Sequence, residues 1–132
     1  MARGKRILLA KMGLDCHDTG IVIVGQMLRE AGFEVVYMGL HNDADEVIHA
    51  AIDEDTDLIG ISFLSGQHES QVRRLLAAMR EAGLDIPVVC GGVIPPDDAQ
   101  ELMQMGVADV IPPGTLTVEV LERVGRVLAR AA

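Results

Sequence analysis

The segment LIGIS, at residues 58–62, decides the fold that this sequence predicts. It is apolar at nearly every position, and so is the later segment IPVVC at residues 86–90. Strands that are half exposed alternate apolar and polar residues, whereas strands of a parallel sheet are covered by helices on both faces and are apolar throughout. The two segments therefore predict the central strands of a buried parallel sheet.

Short β-branched runs and longer amphipathic segments alternate on both sides of LIGIS. We predict strands at residues 6–10, 34–38, 58–62, 86–90 and 109–111, and helices at 18–31, 44–53, 67–82, 97–105 and 117–131. This alternation is typical of an α/β fold with a doubly wound parallel sheet. We expect a single domain, residues 1–132, with the flavodoxin-like (Rossmann-like) strand order 2-1-3-4-5.

The helix ends carry recognisable signals. The tripeptide EAG occurs at residues 30–32 and again at 81–83, and each time it places a glycine where a helix is predicted to stop. Asp97 follows two prolines and is the predicted N-cap of the fourth helix.

Charge and composition exclude several classes of partner. The chain has 20 acidic and 11 basic residues and a formal charge of −9, which disfavours nucleic acid and anionic membranes. Its apolar runs are too short to span a bilayer, and no signal-peptide core follows the basic start, so we expect a cytoplasmic protein with no membrane partner. Aromatic residues make up only 2%, so a large ligand would be held by backbone and small residues.

Three distinctive segments follow the first, third and fourth predicted strands. They are KMGLDCHDTG at residues 11–20, SFLSGQ at 62–67 and GGVIPP at 91–96. In the predicted topology all three reach the carboxyl edge of the sheet, where ligands of such folds bind. The sequence therefore places a candidate site there.

The first segment holds a candidate metal ligand. A neutral imidazole at His17 could ligate a metal while Asp15 accepts the other ring N–H, and Lys11 could extend that relay. The alternative is a solvated loop in which Asp15 or Asp18 caps the first helix and His17 is incidental. Both interpretations fit this segment taken alone.

The small residues of these segments also have two interpretations. Gly20, Ser62, Ser65, and the pair Gly91-Gly92 would leave room and hydrogen bonds for a bulky polar ligand. The same residues suit a loose helix start and ordinary turns. The segment PPGT at 112–115, which includes Gly114 and Thr115, reads first as a rigid turn before the last helix.

Taken together, the motifs resemble a known family. The chain is similar, from residue 6 to about 130, to the cobalamin-binding domain of methylmalonyl-CoA mutase and related enzymes. That family carries DxHxxG, SxL and GG in this order, and here they are Asp15-Cys16-His17-Asp18-Thr19-Gly20, Ser62-Phe63-Leu64 and Gly91-Gly92. The opening segment looks most like the acyl-CoA mutase branch.

The resemblance implies roles for these residues. His17 would be the lower axial ligand of cobalt, Asp15 its hydrogen-bond partner and Lys11 the outer member of the relay, and these three are the residues expected to act in catalysis. The slot for the displaced nucleotide tail of the cofactor would be lined by Asp18, Gly20, Ser62, Leu64, Ser65, Gly91 and Gly92, with Gly114 and Thr115 near its end.

Two positions depart from the family pattern. Cys16 stands where that branch usually has glycine, and Thr19 where it often has arginine. Neither departure removes a ligand. Neighbouring residues of an extended segment point in opposite directions, so Cys16 and His17 are not expected to share one ion.

The resemblance also implies an activity. We expect a stand-alone, adenosylcobalamin-binding small subunit of an acyl-CoA mutase, an isomerase that needs a large substrate-binding subunit and forms a hetero-oligomer with it. Methylmalonyl-CoA, 2-hydroxyisobutyryl-CoA and isobutyryl-CoA are all open as substrates. The alternatives are a corrinoid carrier for methyl transfer, a sensor with further domains and a non-binding scaffold. A phosphoacceptor receiver is disfavoured, because Ser62 and Phe63 stand where an aspartate is needed.

Overall fold

The computed structural model describes residues 5–12, 19–39, 42–63, 68–92 and 94–131 of the 132-residue chain. Its strands and helices alternate along the chain. They are β1 (Arg6–Lys11), α1 (Thr19–Glu30), β2 (Glu34–Tyr37), α2 (Ala44–Asp53), β3 (Leu58–Phe63), α3 (His68–Ala82), β4 (Val88–Gly92), α4 (Pro96–Met105), β5 (Asp109–Ile111) and α5 (Thr117–Ala131). The predicted alternation of strands and helices is confirmed.

The strands form a parallel sheet in the order β2-β1-β3-β4-β5. This is the predicted flavodoxin-like order, and it puts the switch point between β1 and β3. LIGIS lies in β3, at the middle of the sheet, which explains why it is apolar at nearly every position.

Two apolar clusters cover the two faces of the sheet. Helices α2, α3 and α4 bury Val47, Val72 and Leu102 against one face. Helices α1 and α5 bury Ile21 and Val124 against the other. The helices therefore divide into three on one side and two on the other, and only the α1–α5 face carries the site described below.

Local sequence signals predicted some helix ends correctly and others wrongly. Both EAG glycines follow a helix with positive φ, at Gly32 (99°) and Gly83 (69°), as predicted. Asp97 does not cap α4: the N-cap position is Pro95, and Asp97 lies within the first turn. Within the described part of the chain, no helix is both long and apolar enough to cross a membrane.

Strand β4 begins and ends two residues later than predicted. Pro87 has no N–H to give to a ladder, although its carbonyl still accepts from the Ile59 N–H at 3.0 Å. The strand instead continues through Gly91 and Gly92, which pair with Ser62 and Phe63 of β3. The predicted placement of the two glycines after the fourth strand is therefore wrong, because they are its last two residues.

Candidate functional site

An apolar cavity of about 420 Å³ lies between the sheet and helices α1 and α5. That volume falls within the range of small-molecule sites in proteins. The cavity is lined by residues from β1, β3, β4 and the segment after β5, and by residues of both helices. Its position, on one face near the carboxyl ends of the strands, is the one that the topology predicts for a ligand.

Six of the predicted site residues described by the structure line this cavity directly. Gly20 lies in the first turn of α1, and the other five belong to the sheet or to the turn after it: Ser62, Gly91, Gly92, Gly114 and Thr115. Residues separated by almost a hundred positions thus meet at one cavity.

The register of the sheet explains how they meet. Lys11 of β1 pairs with Ser62 of β3, Ser62 pairs with Gly91 of β4, and Gly91 pairs with Ile111 of β5. Residues paired side by side in a sheet lie in one row and point to the same face. The small side chain of Ser62 and the missing one of Gly91 therefore leave the floor of the cavity open between Lys11 and Ile111.

A second row of the sheet deepens the floor. Gly60 lies two residues before Ser62 on the same face and also lines the cavity. A Cβ atom on Gly60 would come within 2.6 Å of the Leu9 side chain, so the strand accepts no larger residue there without movement of Leu9. Gly60 was not among the predicted site residues, although a glycine inside a strand is itself a signal of close approach.

The neighbouring glycines of β4 differ in what they do. Gly92 has a φ of 107°, and a Cβ atom there would overlap the carbonyl of Phe63, so the backbone itself requires glycine. A Cβ atom on Gly91 would meet nothing closer than the Ile111 carbonyl oxygen, at 3.7 Å. The described protein atoms therefore do not require glycine at position 91. A missing side chain is expected there if a ligand occupies the space.

Gly20 resembles Gly91 in this respect. A Cβ atom on Gly20 would have no heavy atom of the described residues within 4 Å. A glycine in the first helical turn costs about 1 kcal/mol relative to alanine. Packing in the described part of the chain offers no compensation for that cost, and the position borders the cavity.

Thr115 contributes a hydroxyl group at the far end of the lining. Its Oγ1 donates to the Pro112 carbonyl at 2.6 Å, which closes the turn before α5. Gly114, within this turn, has a φ of 79°. The predicted rigid turn is confirmed, and it borders the cavity as well.

Lys11 is the most unusual residue of the row. Its side chain is 1% exposed and is one of the largest fully buried side chains among the described residues. Burying an ammonium group is costly unless an anion or several acceptors stabilise it. The carboxylate predicted to do so, on Asp15, lies outside the described residues, as do the predicted site residues His17, Asp18, Leu64 and Ser65 and the departure at Cys16.

A histidine–aspartate pair ties together two segments at this edge of the sheet. His68 Nε2 donates to the Asp98 carboxylate at 2.8 Å, linking the start of α3 to the first turn of α4. The His68 ring lies edge-on to Phe63, and its Nδ1 is buried with no hydrogen-bond partner among the described residues. This pair was not predicted from the sequence, because its members are 30 residues apart.

Cys90 is buried beneath the same edge. Its side chain belongs to the apolar cluster on the α2–α3–α4 face, and burial raises the pKa of its thiol from 9.0 to about 12. A thiol with such a pKa stays protonated near neutral pH and is a poor nucleophile. Among the described residues, no three histidine, cysteine, aspartate or glutamate side chains lie close enough to hold a metal ion.

Comparisons with known proteins point to one family. The family described as "B12 binding domain" matches residues 5–122. A 2-hydroxyisobutanoyl-CoA mutase small subunit from Aquincola tertiaricarbonis is 43% identical over 107 residues, which cover 80% of this chain and 79% of that protein. Human mitochondrial methylmalonyl-CoA mutase is 38% identical over 133 residues, covering 97% of this chain but only 18% of that protein.

A solved structure supports the fold. A cobalamin-binding protein from Desulfitobacterium hafniense superposes with a TM-score of 0.80 at 24% identity, covering 94% of this chain and 59% of that one. At this identity the likeness shows the fold alone. The relationship of this chain to B12-binding proteins rests on the family match and on the closer sequence relatives.

Proposed function

The chain belongs to the B12-binding domain family, and from this premise we propose that it is the cobalamin-binding small subunit of a heteromeric acyl-CoA mutase. One observation carries the proposal: 43% identity to a mutase small subunit along 79% of that protein's length. Longer mutases are also similar, but this chain spans less than a fifth of their length. The partner would be a large subunit that binds the acyl-CoA.

The cavity fits the nucleotide tail of a cobalamin. It is roomy and mostly apolar, and glycines at positions 20 and 91 leave space that no described protein atom fills. Ser62 and Thr115 place hydroxyl groups in its lining, as suits a tail that has an aromatic base and polar ribose and phosphate groups. Leu64, Ser65 and Asp18 complete the proposed lining.

The lower ligand of cobalt would come from the segment between β1 and α1. We assign this role to His17, with Asp15 holding its other ring N–H and so fixing the tautomer and ring orientation. Lys11, already buried at the end of β1, would neutralise Asp15 and moderate how strongly the carboxylate polarises the imidazole.

Adenosylcobalamin, when bound, supplies a cobalt–carbon bond that breaks homolytically and provides the radical for rearranging an acyl-CoA skeleton. The residues of this chain bind and orient the cofactor and exclude water from its tail. The substrate, of the methylmalonyl-CoA or 2-hydroxyisobutyryl-CoA type, would be held by the large subunit.

The ligand assignment is tested with a matched pair of histidine variants. His17→Ala should weaken cobalamin binding severely, and His49→Ala, on the exposed face of α2, should leave it unchanged. The spin-resonance spectrum of bound cob(II)alamin should show nitrogen coupling that changes on labelling histidine with ¹⁵N. A spectrum showing that the cofactor's own base stays on cobalt in the wild-type protein would refute the assignment.

The activity is tested with the partner. The large subunit that co-purifies from the native host should isomerise an acyl-CoA only when this chain and adenosylcobalamin are both added. The assay should cover methylmalonyl-CoA, 2-hydroxyisobutyryl-CoA and isobutyryl-CoA. Methyl transfer to a partner with no thioester isomerised would instead favour a corrinoid carrier.

A further inference from the structure

Asn42 is a buried polar residue at the carboxyl edge of the sheet. Its exposed fraction is 6%, and it stands just before helix α2. It lies outside the cavity lining and outside every motif discussed above. A buried side-chain amide is stable only when its hydrogen bonds are made, so the partners it selects are informative.

The amide of Asn42 bridges two neighbouring strand ends. Its Nδ2 donates to the Gly39 carbonyl at 2.9 Å and to the Lys11 carbonyl at 3.1 Å. The Asn42 backbone N–H also donates to the Lys11 carbonyl, at 3.0 Å, and the Lys11 N–H donates to Gly39 at 3.3 Å. Met12 forms an isolated parallel bridge with Asn42.

These bonds extend the pairing of β1 beyond the end of β2. The paired register of the two strands ends at Leu9 and Tyr37, and Asn42 takes over from there. A side-chain NH₂ group has two donors in one plane and can satisfy two carbonyls at once. An aspartate of the same shape would face both carbonyls with oxygen atoms and repel them.

Asn42 lies two residues before helix α2, which is capped and packed against the core. The next residue, Asp43, caps α2: its side chain accepts from the Glu46 N–H at 2.8 Å, and its own N–H donates to the Glu46 carboxylate at 3.1 Å. Helix α2 in turn buries Val47 and Ile48 in the core. The bridge therefore connects the end of β1 to a rigid element.

We propose that Asn42 is a positioning residue for the lower cobalt ligand. This inference rests on the proposed function. Lys11 and Met12 are the point from which the chain leaves the sheet toward Asp15 and His17, and Asn42 fixes that point. The side chain acts through Lys11 and does not contact the cofactor.

The test compares Asn42→Ala with Asp57→Ala. Asp57 accepts a hydrogen bond from the Arg6 N–H at 2.7 Å, so it ties the opposite end of the same strand. Each substitution removes side-chain hydrogen bonds at one end of β1. Asn42→Ser, which retains one donor, is a milder second variant if Asn42→Ala is poorly folded.

The first readout needs no cofactor. Amide hydrogen exchange at Lys11 and Met12 should become about tenfold faster in Asn42→Ala, because two hydrogen bonds of this kind are together worth roughly one tenfold step in an equilibrium constant. Asp57→Ala should leave exchange at these two amides unchanged. Unchanged exchange at these amides in Asn42→Ala would overturn the proposal that Asn42 fixes the end of β1.

The second readout is spectroscopic. Asn42→Ala should bind cob(II)alamin about tenfold more weakly and should show protein-histidine coupling in a smaller fraction of the bound cofactor, whereas Asp57→Ala should match the wild type in both. If the wild type shows histidine coupling and Asn42→Ala equals it in affinity and in the coupled fraction, the positioning role is overturned. The proposed function then still stands. Absence of histidine coupling in the wild type would overturn both.

Discussion

The two ends of the same sheet are built in opposite ways. At the amino edge, the Arg6 guanidinium contacts the Glu34 carboxylate at 2.9 Å and donates to the Glu54 carbonyl, and the Arg6 N–H donates to Asp57. At the carboxyl edge, the last residues of the strands include Lys11, Ser62 and the two glycines of β4, and Ser62 and both glycines line a cavity.

The difference separates stability from binding. At the amino edge, charged groups of the described residues pair with one another. Small residues at the carboxyl edge sacrifice apolar burial that larger side chains would provide. Changes at the amino edge should therefore alter the free energy of unfolding alone, whereas changes at the carboxyl edge should alter binding, except where the backbone itself requires glycine.

The largest effect on stability is expected at that exception. Gly92→Ala should lower the free energy of unfolding by about 3 kcal/mol or more, because the new Cβ atom would overlap the Phe63 carbonyl and the residue would be held at positive φ. Denaturant unfolding of the cofactor-free protein measures the change. Gly91→Ala is the matched control and should shift stability by less than about 1 kcal/mol; equal losses in both variants would contradict the distinction.

The largest effect on binding without unfolding is expected one residue earlier. Gly91→Leu should weaken cobalamin binding at least about a hundredfold, since the side chain would project into the cavity from its floor. Titration followed by absorbance measures the affinity. Gly125→Leu adds the same bulk at an exposed position of α5 with open space around it, and should bind as the wild type does. Tight binding by Gly91→Leu would show that the ligand lies elsewhere.

At the amino edge we expect a smaller effect, on the free energy of unfolding and not on cobalamin affinity. Arg6→Met should lower the free energy of unfolding by about 1–2 kcal/mol, because the carboxylates and the Glu54 carbonyl lose a partly buried partner. Cobalamin affinity should not change. Arg73→Met removes an exposed pair with Glu69 and should cost less than about 0.5 kcal/mol. A loss of affinity in Arg6→Met would show that the two edges are coupled.

The prediction with the smallest effect near neutral pH concerns Cys90, whose influence on stability emerges only in alkaline solution. The thiol has a pKa of about 12 in the folded chain, because burial disfavours the thiolate, against 9.0 for an unperturbed thiol. Its contribution to stability is therefore complete below pH 9 and is lost as the pH rises from 9 toward 12, where only the unfolded chain releases the proton. The free energy of unfolding should fall less steeply over this range in Cys90→Ala than in the wild type. Parallel profiles would contradict the assignment.

Much of this architecture could be predicted from local patterns. Apolar runs located the strands and amphipathic periodicity located the helices. The strand order was the leading choice for five strands that alternate with helices, and the structure confirms it. Gly20, Ser62 and the glycines of β4 were identified as candidate site residues from their type and order, and they line the cavity. The roles of Asp15 and His17 stay predictions, as these residues lie outside the described parts of the chain.

Other features depend on contacts that local patterns do not contain. Asn42 was not among the predicted site residues, because its partners lie 31 residues away at Lys11 and three residues away at Gly39. His68 and Asp98 belong to different helices. Gly91 and Gly92 looked equivalent, and only the position of the Phe63 carbonyl distinguishes them.

The sequence by itself determined the kinds of element, their order and which segments are small and polar, because periodicity and residue size act locally along the chain. The tertiary structure decided the register that sets Lys11, Ser62 and Gly91 side by side on one face. A shift of one residue in either pairing would turn a strand's side chains to the opposite face and fill or close the cavity. That register is set by packing of both faces at once, and no single strand specifies it.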